Sequence, residues 1–169
     1  MLESLLNRVM SLQAGMQSGE VIRAALLPHE TDILETQKEQ LAEGKASSGE
    51  DIRPYYSEDL KANGGYFHSV QTARNYAGWK VDIGNPYEVG NRNFDAPNLY
   101  INGKFYGELG IDFGADAVGV VPRTPYAAGI MAKYGTQTFG LMMSNWMRIF
   151  AEKGAYLDLM NEVKRRLYA

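Results

Sequence analysis

Apolar residues at helical spacing in the first 44 residues constrain the fold of this chain more than any other feature. One side of the first predicted helix carries Leu2, Leu5, Leu6, Val9, Leu12 and Met16. A second apolar stripe follows a break at residues 17–19, and Pro28 favours a kink or a new helix start within it. Residues 1–44 therefore form a helical region, and Gly44 is its expected C-terminal cap.

Residues 45–97 are expected to form a loop-rich region. Ser69 is the expected cap of a short helix that reaches Lys80. Residues 84–97 are mostly Gly, Asn, Pro and Asp, with few side chains suited to a core. A loop of that length in a compact domain is usually functional or becomes ordered by a partner.

Strand signals are confined to residues 98–123. Asn102-Gly103 lies between two short apolar runs and predicts a β-hairpin, because this dipeptide accepts positive φ at both turn positions. Alternating apolar residues over 109–113, a turn at 114–116 and the run 117–121 extend this prediction to a small antiparallel meander.

Helical spacing returns after residue 125. It predicts helices over residues 126–133 and 141–153, and a last helix that follows Gly154. The expected fold of residues 1–169 is therefore a single α+β domain. In it, a small antiparallel β-sheet packs against helices, with a helical N-terminal arm, and residues 98–169 hold the β-meander and the C-terminal helices.

Composition argues against several function classes. The chain has no cysteine, which excludes thiol catalysis, iron–sulfur clusters and cysteine-bound zinc. Its two histidines, His29 and His68, are far apart in sequence, and it carries no phosphate-binding loop or dinucleotide fingerprint. A net charge of -3 lacks the basic footprint of a nucleic-acid binder. We expect no catalytic residue, no metal site, no cofactor and no sequence-specific nucleic-acid binding.

The N-terminus lacks the charged start and long apolar core of a signal peptide, and no apolar run reaches membrane-spanning length. The chain is therefore expected to stay in the compartment where it is made, with no membrane partner.

Tyrosine and methionine are the residue types that point to protein contacts. The chain has 11 Tyr and 8 Met. Tyrosine combines apolar area with a hydrogen-bonding tip and is enriched in interfaces, although the same residues can fill a core that is short of leucine and isoleucine. The predicted interface residues are those of the N-terminal stripe and of the long loop: Leu2, Leu5, Leu6, Val9, Tyr87, Asn91 and Phe94.

Several short segments occur in an order that resembles a group of small phage and prophage proteins. In the first half they are Gln40-Leu41-Ala42-Glu43-Gly44, Ser47-Ser48-Gly49-Glu50-Asp51-Ile52, Pro54-Tyr55-Tyr56-Ser57 and Lys61. In the second half they are Asn102-Gly103-Lys104-Phe105-Tyr106 and the segment from Lys133 to Leu141. Pro125-Tyr126-Ala127-Ala128 and Gly135-Thr136 are also similar to segments of the tail-completion family of tailed phages.

The resemblance covers roughly residues 33–169. This chain departs from the pattern of those proteins at two places. Asn102 stands where the pattern usually has threonine, and residues 76–97 look like an insertion. Both departures leave the exact position of such a protein between head and tail open. The resemblance implies a non-enzymatic virion protein of the head–tail neck, assembled in the bacterial cytoplasm. Such a protein forms a homo-oligomeric ring, through which DNA can pass, between the portal or adaptor and the tail.

The sequence leaves two alternatives open. One is a phage assembly chaperone or binding module that is absent from finished virions. The other is a small hydrolase that uses Glu58 or His68.

Overall fold

The computed structural model describes residues 2–52, 67–84, 86–87, 99–100, 102–114 and 117–168. Eight helices and two strands lie in these ranges, together with 3-10 turns at Leu27–His29 and Thr136–Thr138. The elements are α1 (Leu2–Gln17), α2 (Glu20–Leu26), α3 (Glu30–Ala42), α4 (Val70–Asp82), α5 (Lys104–Gly107), β1 (Leu109–Phe113), β2 (Val118–Pro122), α6 (Ala127–Tyr134), α7 (Met143–Ala151) and α8 (Ala155–Tyr168).

The N-terminal helical region begins, breaks and ends where the sequence predicts. Gly19 separates α1 from α2 with φ 76°, a left-handed conformation that glycine adopts without steric cost. Pro28 lies in the 3-10 turn that precedes α3, as expected from its missing backbone donor. Gly44 follows α3 with φ 72°, which confirms its predicted role in ending that helix.

The helix predicted after Ser69 is also confirmed. Ser69 is the N-cap of α4, and its hydroxyl accepts a hydrogen bond from the backbone N–H of Thr72 at 3.2 Å.

A two-stranded antiparallel sheet confirms the α+β fold class. Leu109 pairs with Pro122 and Phe113 pairs with Val118, so β1 and β2 form a hairpin across the turn predicted at residues 114–116. Ile111 and Val120 lie opposite each other in this register, and both side chains are buried. One face of the hairpin therefore packs on the helices.

The hairpin predicted at Asn102-Gly103 is wrong. Gly103 has φ 79° and precedes α5, so the residues expected to form the second strand make a helical turn instead. The Asn102 side-chain oxygen accepts a hydrogen bond from the Lys104 N–H at 3.2 Å and so closes a local turn. The described part of the chain therefore contains the 109–122 hairpin without the longer meander.

The core forms where α3, α5, α7 and the hairpin meet. Its fully buried side chains include Ile33 and Leu41 of α3, Tyr106 of α5 and Ile149 of α7. Tyr106 packs its ring against neighbouring aromatic rings at centroid distances of 5.3 to 6.2 Å. These contacts fix α5 on the core, which explains why a four-residue helix is stable there.

A buried glutamine joins α3 to the segment that leads into α7. The Gln40 side-chain oxygen accepts hydrogen bonds from Met142 N and Asn145 Nδ2, both at 2.9 Å. Its amide nitrogen donates to the carbonyl oxygens of Gly140 at 2.9 Å and Lys45 at 3.4 Å. The side chain is 1% exposed, so its polar atoms depend on these partners rather than on water.

Candidate interaction surfaces

Helix α1 presents a row of large apolar side chains to solvent. Three residues of the predicted interface, Leu5, Leu6 and Val9, are 52%, 59% and 45% exposed, and Met10 and Met16 are 58% and 44% exposed. Single exposed apolar residues are ordinary on protein surfaces, but five on one 16-residue helix form a patch. Leu2 begins this helix, and its side chain lies outside the described part of the chain.

A different side of α1 holds the helix on the fold. Arg8 donates from Nη1 to the backbone oxygen of Leu167 in α8 at 3.3 Å. Gly15 is buried, and a Cβ at this position would collide with the guanidinium of Arg166. Leu12 is half-buried on the same side. Because the chain packs against this side of α1, the apolar patch remains outside its own core.

A cluster of charged side chains secures this helix junction. Arg166 Nε donates to Glu162 at 2.7 Å, and its Nη1 lies 3.6 Å from Glu20 of α2. Arg165 also donates two hydrogen bonds to Glu162, both at 2.7 Å. These hydrogen bonds, from Arg165 and then Arg166, lower the pKa of Glu162 to about 2. Within α8, Glu162 therefore holds the Arg166 guanidinium at the junction with α1 and α2, next to Gly15 and Glu20.

Tyr87, predicted to lie at an interface, is half-buried in this structure. Its ring lies 5.3 Å from that of Tyr106, and the ammonium of Lys38 lies 5.4 Å from its centroid. Much of its area thus packs on the chain's own core, and its role at an interface stays a prediction. Asn91 and Phe94, the other residues predicted from the loop, lie outside the described residues.

A second exposed apolar surface, on α7, was missed by the sequence reasoning. Met143 and Met147 are 74% and 59% exposed and lie one turn apart on the same side of this helix. Ile149, on another side of the same helix, is buried in the core. The i, i+4 spacing of the two methionines could have predicted this second apolar side of the helix from the sequence.

An open cleft of about 710 Å³ lies between α4, α5 and α6. Its walls include the aromatic rings of Tyr76, Phe105 and Tyr126, with Lys80 and Lys133 among its polar residues. The aromatic walls suit an apolar ligand or side chain. Sequence reasoning missed this cleft because its residues come from three separate segments, residues 67–80, 99–105 and 125–134.

The histidines are placed apart from each other. His29 is buried at the start of α3, and its Nε2 lies 2.8 Å from Asp158 Oδ2 of α8. His68 is exposed beside the cap of α4. Within the described ranges, no three His, Asp or Glu side chains are grouped so that they could hold a metal ion. Glu58, the other residue of the hydrolase alternative, lies outside those ranges.

Among the residues that the structure describes, no helix combines the length and apolar character of a bilayer-spanning segment.

Comparison of the chain with models of protein families, with characterised proteins and with solved structures gave no match.

Proposed function

We propose that this chain is a structural subunit of the head–tail joint of a tailed bacteriophage, a connector or tail-completion protein. It acts by binding copies of itself in a ring and by contacting portal and tail proteins in the virion. The observation that carries the proposal is the apolar patch on α1, which the chain's own fold leaves exposed.

The order of the short sequence segments supports the same role. The Gln40–Gly44 segment and the Lys133–Leu141 segment, which resemble those of phage proteins, meet in the structure through the hydrogen bond from Gln40 Nε2 to the Gly140 oxygen. These segments therefore belong to one structural unit that holds α3 and α7 together. That unit provides a rigid body on which exposed helices are presented to partners.

The apolar area of the α1 patch limits how strongly it can hold two copies together. Burying a half-exposed leucine, valine or methionine contributes on the order of 1 kcal/mol. Five such residues on α1 give a few kcal/mol, which does not exceed the roughly 4–15 kcal/mol cost of bringing two free molecules together. A ring therefore also needs contacts from other surfaces of each subunit, since it divides this patch between two neighbours.

A genetic experiment tests the proposed role. An early stop codon in the gene should give lysates in which electron microscopy shows DNA-filled heads separated from tails. Supplying the intact chain from a plasmid should restore joined particles. The Leu5→Glu/Val9→Glu variant should fail to restore them, because it places two charges in the apolar patch. Ser11→Glu, on the exposed opposite side of α1, is the matched control and should restore them.

Mass spectrometry of purified particles separates the proposal from the chaperone alternative. We expect the chain in finished virions in a fixed ratio to the portal protein. A chain that restores joining and yet is absent from purified particles would show an assembly factor instead. Joined, infectious particles in the absence of the chain would contradict both functions.

A further inference from the structure

We infer that each α1 lies between the α1 helices of two neighbouring copies and runs parallel to both. Repeated around the assembly, these helix–helix contacts join the subunits into a closed ring. This inference rests on the proposed function, because it specifies the self-contact that the proposed ring needs. The occupant of the α1 patch is therefore a second copy of this chain, and it binds through the same helix.

The width of the patch suits two partners rather than one. At about 100° per residue, the exposed apolar residues cover an arc of about 140°, with Leu5 at one edge, Val9 near the middle and Met10 at the other edge. A two-stranded coiled coil uses a narrower seam of two positions per heptad. Gln13 also lies in this arc and is exposed, but it is uncharged. The arc therefore contains no charged residue.

The two edges of the arc carry opposite charges. Glu3 lies just beyond Met10 on one edge, and Arg8 lies beyond Leu5 on the other. The hydrogen bond from Arg8 to Leu167 uses one of the five N–H donors of the guanidinium, so others remain for a second acceptor. Each helix thus has an acidic edge and a basic edge on either side of an uncharged apolar surface.

These charges select the relative direction of neighbouring helices. In a parallel arrangement, the Glu3 edge of one copy faces the Arg8 edge of the next. Five residues separate the two positions, which is about 7.5 Å along the helix axis, a distance that the two long side chains can span. In an antiparallel pair, like edges meet, and Arg8 would face Arg8 of the other copy. Charge complementarity therefore favours the parallel, head-to-tail arrangement that can close into a ring.

The first turns of α1 are accessible for this contact. Every side chain from Glu3 to Asn7 is exposed, and the hydrogen bond to α8 begins only at Arg8. Neighbouring helices pack with axes about 8–10 Å apart, so on the Arg8 edge the neighbour contacts the turn before Arg8, ahead of the point where α8 packs on α1.

Disulfide cross-linking tests the arrangement, since the chain has no cysteine of its own. In parallel helices in register, Leu5 of one copy and Leu6 of the next differ in height by about 1.5 Å and face each other, within reach of a disulfide. The Leu5→Cys/Leu6→Cys variant is supplied to infected cells, and both the purified chain and the purified particles are oxidised. Most of the chain should shift from monomer to a ladder of bands above the dimer on a denaturing gel, with the top band giving the ring size.

Control variants define the outcomes. Leu5→Cys and Leu6→Cys alone should give no band above the dimer, and Asn7→Cys/Ser11→Cys, on the other side of α1, should give no ladder. Dimers as the main product of Leu5→Cys alone would show an isologous pair and overturn the ring. Monomer from the double variant in both preparations would overturn the contact.

Charge reversal provides an independent measurement. Adding Glu3→Arg to the double-cysteine variant should remove most of the ladder, and adding Arg8→Glu as well should restore it, with circular dichroism confirming that each variant is folded. Failure of the second reversal to restore the ladder in a folded protein would overturn the parallel arrangement. A ladder from a chain that is absent from particles would refute the proposed function alone, and a chain present in particles without a ladder would refute this contact alone.

Discussion

Replacing Gln40 by leucine tests whether the buried glutamine holds α3 to the α7 segment. Leucine has a similar size but offers no polar atom, so Met142 N, Asn145 Nδ2 and the Gly140 oxygen each lose a partner at 2.9 Å. Leaving a buried polar group unpaired costs about 1–3 kcal/mol. Because these three residues are half-buried, the lower end applies, and the free energy of unfolding should fall by about 3 kcal/mol.

Thermal and urea unfolding of the purified chain, followed by circular dichroism, measure this loss. A change of about 3 kcal/mol corresponds to a Tm about 6–12 °C lower in a domain of this size, with an unchanged urea m-value. Gln71→Leu is the matched control, because Gln71 is exposed on α4 and bonds to Asn75 of its own helix. It should shift stability by less than about 0.5 kcal/mol. A Gln40→Leu protein within about 1 kcal/mol of the wild type would refute the reasoning.

Three further predictions concern helix ends and the α8 junction. Ser69→Ala removes the N-cap of α4 and should lower the free energy of unfolding, measured in urea, by about 1 kcal/mol. An unchanged free energy of unfolding would show that the cap does not stabilise the fold. Gly15→Leu should displace the Arg166 guanidinium and crowd Val21, which costs about 1–3 kcal/mol against a gain of about 1 kcal/mol in helix propensity, and a Tm raised by that full gain would contradict the close approach of α1 and α8. Glu162 has a pKa of about 2 in the fold and 4.5 ordinarily, so its carboxylate stabilises the fold above pH 4.5 and this contribution is lost as the pH falls toward 2. The Tm of Glu162→Gln should therefore fall less than that of the wild type over this range, and parallel Tm curves would exclude the ion-pair cluster as a source of acid sensitivity.

Local chemistry made the helices predictable. Gly19, Gly44 and Ser69 end or cap helices through their own conformations and side chains, and the structure confirms each of them. The 109–122 hairpin was predictable for the same reason, because its alternation and its turn are local.

The errors arose where a local signal suits two structures. Asn102-Gly103 provides a residue with positive φ, which suits a hairpin turn and also the start of a helical turn. Packing of Tyr106 on the core decides between them, and that packing is invisible in the local sequence. The cleft and the side of α1 that meets α8 also depend on residues from distant segments. The exposed apolar patch was predictable as a stripe, whereas the choice of which side of α1 packs on the fold was not.

The bonds of Gln40 also govern when the chain can fold during its synthesis. Its partner Asn145 lies 105 positions later, so a ribosome that adds about 5–20 residues per second needs about 5–20 s to make it after Gln40. Throughout that interval, the nascent chain lacks Ile149 and Ala155, which belong to the same core cluster as Ile33 and Leu41. Nascent chains on neighbouring ribosomes therefore expose both the future core and the α1 patch, and premature aggregation is the hazard that cellular chaperones have to prevent.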